Sequence, residues 1–125
     1  AEVLDETGLR TVRSERIGSL SLGARQRLAI AGALLCQPRA LLFDEPLNGL
    51  DVPGVVWFRG LLRQLADTGC TVVLATHLLD EVTRTADRIA ILDGGRLRVI
   101  GSLEDAIPAG AQRQQWLESA LMECG

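Results

Sequence analysis

Asp44 and Glu45 stand side by side directly after the apolar run Ala40 to Phe43, and the only histidine, His77, follows a second apolar run, Thr71 to Ala75. A carboxylate leaving the end of a buried strand is well placed to hold Mg²⁺, which prefers oxygen ligands and keeps most of its waters. A second carboxylate beside it points elsewhere and can polarise a water for attack on a phosphoryl group. The competing reading is that acids after strands cap the next helix. His77 can donate to a phosphate oxygen or orient a water, although a lone histidine is more often packed or exposed without a task.

Two further places carry anion chemistry. In Ser21-Leu22-Gly23 a serine hydroxyl, a glycine amide and a helix N-terminus can together form an anion site, because unpaired N–H groups and the helix dipole face the ligand. An ordinary N-cap uses the same residues. Asn48-Gly49-Leu50-Asp51 reads as a turn-rich loop in which Asp51 caps the following helix.

The elements that must position these residues follow from the pattern of apolar side chains. Ala40 to Phe43 and Thr71 to Ala75 read as buried parallel strands. Between them Val55 to Ala66 has helical spacing, with Val55, Phe58, Leu62, Leu65 and Ala66 on one side and Arg59, Arg63 and Gln64 on the other. Strand, helix and strand make a parallel crossover unit. Ligands of open α/β sheets bind outside the carboxyl ends of the strands, so Asp44, Glu45 and His77 are expected at one sheet edge. Upstream, the end of a helix closes at Gly8, Arg10 to Ser19 is irregular, and a helix runs from about Ala24 to Leu35 with Ser21 as its cap and Gln37-Pro38 as its stop. Downstream, Leu78 to Thr85 is a short helix, and Asp87 to Leu92 and Arg96 to Ile100 form a hairpin through Asp93-Gly94-Gly95. A short helix is expected over Gly101 to Ala106. A last one runs from Ala111 to Met122, with an apolar stripe of Leu117, Ala120 and Leu121.

The chain has 125 residues, 47% of them hydrophobic, which supports a core. A net charge of −3 is too mild to suggest a nucleic-acid surface. The charge is uneven: Arg10 to Arg27 holds five arginines against Glu15, a local +4 that serves as a solvated face or as a basic mouth for phosphates. Cys36, Cys70 and Cys124 are widely spaced and read as reduced thiols of a cytosolic protein, not as zinc ligands. No apolar run approaches the ~18 residues that would span a membrane, so direct insertion is not expected. All 13 basic residues are arginine.

Taken in order, these residues resemble the second half of an ATP-binding cassette (ABC) ATPase. Leu20-Ser21-Leu22-Gly23-Ala24-Arg25-Gln26-Arg27 is similar to the family's signature loop, usually L-S-G-G-Q-x-Q-R. Ala40 to Glu45 resembles the Walker B strand with its catalytic glutamate, Leu47 to Asp51 the D-loop, and Thr76-His77 the switch histidine. Ala86-Asp87-Arg88-Ile89 and Asp93-Gly94-Gly95-Arg96 are similar to the family's closing segment, so the likeness runs from about Val3 to Ala106. Leu22 and Ala24 depart from the usual glycine and glutamine, in a form that resembles bacitracin-resistance and related drug-export cassettes. Leu47 stands where serine or threonine is frequent.

The resemblance implies an α/β fold, a partial P-loop NTPase (RecA-like) core with parallel strands and a crossover helix, a C-terminal β-hairpin and helices. Residues 1–36 would be the end of the helical subdomain, 37–106 the Walker B to switch-histidine part of the core, and 107–125 a helical tail. It further implies that Asp44 holds Mg²⁺, Glu45 polarises the attacking water and His77 contacts the γ-phosphate. Ser21, Leu22 and Gly23 would grip the ATP held by a second ATPase domain in a head-to-tail dimer, and Asp51 would link the two sites. Closure would drive a transmembrane permease at the inner face of the cell membrane, in the direction of export. The Walker A loop, G-x-x-x-x-G-K-[ST], needs a lysine, and none is present; the chain alone is therefore expected to be inactive. The other readings are a half-cassette acting as a non-catalytic interaction module, and a non-transport ABC ATPase. Asn48-Gly49 in place of Asn-His, and Pro46 after Asp-Glu, favour a transporter.

Overall fold

The computed structural model describes residues 2–123, and the backbone alone at 99, 100 and 123. Ala1, expected within the tail of the first helix, and Cys124, expected as a thiol, lie outside the described residues. Two compact units divide the chain, Ala1–Ala75 and Thr76–Gly125.

In the first unit α1 (Glu2–Glu6) ends at Gly8, whose φ of +68° supplies the left-handed residue that closes a helix. The closing bonds run from the Leu9 amide to the Leu4 carbonyl (2.8 Å) and from the Thr7 hydroxyl to the Val3 carbonyl (2.7 Å). Two 3₁₀ turns, Arg10–Val12 and Ile17–Ser19, carry the chain to α2 (Leu22–Leu34). Next come β1 (Ala40–Asp44), α3 (Val52–Asp67) and β2 (Thr71–Ala75). Asp51 caps α3, a proline lies in its first turn, and Gly69 (φ +86°) follows its end.

β1 and β2 pair in parallel, Ala40 opposite Thr71 through Asp44 opposite Ala75, so the two strands end level. Ile30 and Leu34 from α2, Leu41 and Phe43 from β1, and Phe58 and Leu61 from α3 bury one face of this sheet. Phe43 and Phe58 meet edge to face, 5.3 Å between ring centroids at 81°, the arrangement that the ring quadrupole favours. The apolar runs were read as buried strands, and the structure buries one face of them. Side chains alternate across a strand, and Leu42 and Val73, on the side away from the α2–α3 core, are 72% and 53% exposed.

The second unit contains α4 (Leu79–Thr85), β3 (Arg88–Asp93), β4 (Arg96–Ser102), α5 (Leu103–Ala106) and α6 (Arg113–Glu123). β3 and β4 are antiparallel and joined by Gly94-Gly95 at φ +52° and +75°, the positive values that a tight primed turn requires. Gly101 and Ser102 were expected to begin a helix. They instead extend β4, because they pair with Ile89 and Arg88, and α5 starts at Leu103, two residues later than expected, where the Leu103 amide reaches the Asp87 carbonyl (3.0 Å). The core of this unit is Ile89, Leu103 and Leu117, with Leu79, Val82 and Trp116 against it. Of the expected stripe on α6, Leu117 is buried, Ala120 half-buried and Leu121 exposed. Among the described residues no helix is long and apolar enough to cross a membrane.

Phe58→Ala is expected to cost about 3–5 kcal/mol in urea unfolding, because it empties the centre of the first core. Leu42→Thr should change stability by less than ~0.5 kcal/mol, as surface substitutions do. Comparable costs for the two would mean that the sheet is not buried on one side only.

Candidate functional site

The Ser21 turn is built by the start of α2. The Ser21 hydroxyl accepts from the Ala24 amide at 3.1 Å, and Arg25 donates its Nε to the Leu20 carbonyl at 3.1 Å, which holds the turn before the helix. Ser21 and Leu22 are exposed; Gly23 is half-buried against the Gly49 carbonyl, 3.3 Å from where a Cβ would stand. One helix turn on, Gln26 Nε2 donates to the Pro46 carbonyl at 2.9 Å.

Asp44 closes β1 with an exposed carboxylate. Among the described residues no three His, Cys, Asp or Glu converge as metal ligands. A single hard oxygen donor in the open fits an ion that keeps most of its waters. Glu45 differs in kind. Its φ is +46°, a left-handed conformation that costs a side-chain-bearing residue about 1–2 kcal/mol. The Glu45 amide nevertheless donates to the Ala75 carbonyl at 2.9 Å, so the strand pairing persists through the bend. Past that bend the carboxylate is half-buried, with Oε2 inside, while Asp44 faces out. Two neighbouring acids thus receive different surroundings from one backbone angle.

Pro46 and Leu47 are buried beneath the loop, and amides of Asn48 and Leu50 return to the carbonyls of Glu45 (3.2 Å) and Leu47 (3.1 Å). Asp51 Oδ1 accepts from the Gly54 amide at 2.9 Å. A Cβ on Gly54 would lie 2.8 Å from that oxygen, so the cap depends on glycine there. His77 belongs to the second unit, exposed in the segment that leads to α4, where the Leu78 amide donates to Thr76 Oγ1 at 3.1 Å.

The structure therefore brings the Ser21–Gly23 turn against the loop that runs from Pro46 to Asp51, and ties Glu45 to the end of β2. It also shows what Arg25 and Arg27 of the basic segment do. Arg27 lies over the Trp57 ring, 4.0 Å from its centroid, and donates Nη1 to the Thr7 carbonyl at 3.2 Å; Trp57 Nε1 donates to the Glu6 carbonyl at 2.9 Å. Arg10 pairs with Asp5 at 3.1 Å. Sequence reading named Gln26 only within the signature stretch, without a role, and missed Gly54 and Trp57. A tryptophan on the flank of an otherwise apolar helix stripe, with arginines upstream, was the available signal for one of them.

A family model described as ABC transporter matches residues 1–48. Over 104 residues the chain is 42% identical to an uncharacterised ABC transporter ATP-binding protein, YdbJ, of Bacillus subtilis, covering 82% of this chain and 34% of that protein. It is 43% identical over 111 residues to the molybdenum import ATP-binding protein ModC of Mycobacterium tuberculosis, 84% of this chain and 30% of that one. Bacitracin transport ATP-binding protein BcrA of Bacillus licheniformis is 40% identical over 97 residues, 77% and 32% respectively. The chain belongs to the ABC family, and it spans about a third of the length of these relatives.

Strain at Glu45 is open to measurement. Glu45→Ala keeps the unfavourable angle and Glu45→Gly relieves it, so the glycine variant is expected to be more stable than the alanine variant by about 1 kcal/mol in chemical unfolding. Equal stability would show that the backbone relaxes without cost.

Proposed function

We propose that this chain is part of the ATP-binding subunit of an ABC transporter, coupling ATP hydrolysis to membrane transport, and that it carries the C-terminal half of the cassette. The observation that carries this reading is the order of the polar residues along the chain. The Ser21 turn opens α2, Asp44-Glu45 leaves β1, Asn48 to Asp51 leads into α3, and His77 follows β2, in a chain 40–43% identical to ABC ATP-binding proteins.

On this reading the exposed Asp44 holds Mg²⁺, which when bound neutralises charge on the transferring phosphate. Glu45, half-buried past its bend, polarises the water that attacks the γ-phosphate. His77 donates to that phosphate. Ser21, Leu22 and Gly23 meet the γ-phosphate of the ATP held by a second ATPase domain, where the amides at the start of α2 favour negative charge. Asp51, already capping α3, stands where the loop passes from one domain to the other. Residues 1–36 finish a helical subdomain, 37–106 belong to the ATPase core and 107–125 form a helical tail. The permease partner places the subunit at the inner face of the cell membrane. Export is supported by the Ser21-Leu22-Gly23 form of the signature; the matches to an import and to a bacitracin transport protein are too alike to weigh on direction.

A chain without lysine cannot supply the residue that reaches the β/γ-phosphates in a Walker A loop. In the complete cassette, Glu45→Gln is expected to lower kcat for Mg-ATP hydrolysis by about 10²–10⁴, the usual share of a positioned base, with KM little changed. Unchanged kcat would remove Glu45 from the chemistry. The 125-residue chain by itself should neither bind Mg-ATP at micromolar concentration nor hydrolyse it; micromolar binding would contradict the missing-loop argument.

A further inference from the structure

Leu22 is the residue by which this signature turn departs from the glycine of the usual form, and the structure shows where its side chain goes. A Cβ added at Gly49 would lie 2.6 Å from both Cγ and Cδ2 of Leu22, closer than carbon atoms approach, so the leucine occupies the volume that a side chain at 49 would fill. Gly49 also has φ +85°, and its carbonyl abuts Gly23. The bond from Gln26 to the Pro46 carbonyl holds the same loop from one helix turn further on. Three residues in the first turns of α2 therefore rest on Pro46 and Gly49.

We propose that Gly49 is a positioning residue for the Ser21–Gly23 turn, acting through a volume match with Leu22. A side chain at 49 must displace the Leu22 side chain, and through it bears on the turn whose geometry sets the bond between the Ala24 amide and Ser21 Oγ. The functional meaning rests on the role proposed above for that turn: the group that meets one nucleotide is seated on the loop that ends in Asp51, so the two move together. Gly49 serves twice, since its left-handed angle makes the loop and its missing side chain makes room for Leu22.

The test is a double-mutant cycle on the chain without nucleotide, reading the hydrogen-exchange rate of the Ala24 amide in the parent, Gly49→Ala, Leu22→Ala and the double variant. Backbone strain at position 49 is common to both backgrounds and cancels in the cycle. Gly49→Ala is expected to speed exchange about fivefold with Leu22 present and less than about twofold with Leu22→Ala, a coupling of the size that touching residues show. Gly49→Asn, which tolerates the left-handed angle better, should show the same dependence on Leu22 and serves where the alanine variant folds poorly. Equal acceleration in both backgrounds, or none in either, would overturn the proposal. Because no ATP enters this measurement, failure of the cycle and failure of the ATPase reading are distinct results.

Discussion

One backbone bond organises the first unit: the Glu45 amide donating to the Ala75 carbonyl just past the paired ends of β1 and β2. Parallel strands joined by a helix must begin and end on the same sides of the sheet. The end of β1 therefore lies beside the end of β2. The bond carries the pairing one residue beyond Asp44, to Glu45, whose left-handed angle then turns the chain. The bend turns the chain down into Pro46 and Leu47, which anchor the loop in the core. Asp44 faces out and Glu45 turns in as a direct consequence, and the loop beneath α2 hangs from the same corner.

Much of this was legible in the residues because the signals are local. Ser21 and Asp51 cap their helices through amides three residues ahead, and a hydroxyl or carboxylate before an apolar periodic run announces that geometry. Gly8 and the Gly94-Gly95 pair sit where positive φ is needed. The apolar runs marked both strands to within a residue. What was not legible depends on partners distant in the chain. Exposure of one face at Leu42 and Val73 depends on how many layers cover the sheet, which a five-residue run does not encode. The extension of β4 through Gly101 and Ser102 depends on pairing with β3, against the weak strand preference of glycine.

The basic segment shows the same limit from the side of charge. Net charge along a stretch says what a surface can attract, but not which cations are already occupied. Arg27 stacks on Trp57, Arg25 holds the Leu20 carbonyl and Arg10 faces Asp5. Arginine suits such duty because its planar, weakly hydrated head can lie on a ring while its edge donates to a carbonyl. At the candidate site, the types and spacing of Ser21, Asp44, Glu45 and Asp51 could be read directly. The seating of Leu22 on Gly49 could not, since both look like ordinary loop residues until the two turns are placed in contact.

The indole of Trp57 has one more implication, which concerns the order in which the chain acquires its structure. Its Nε1 closes on the Glu6 carbonyl across 51 residues. The described residues of α1 are fixed to the rest of the first unit through contacts with distant residues, Val3 against the core among them. Its order is borrowed from Trp57 and from Arg27, and neither contact exists until α2 and α3 have come together. Loop-closure entropy must be met before such non-local contacts give any return. Glu6 and Thr7 therefore gain these contacts only once the helices that carry Trp57 and Arg27 are in place.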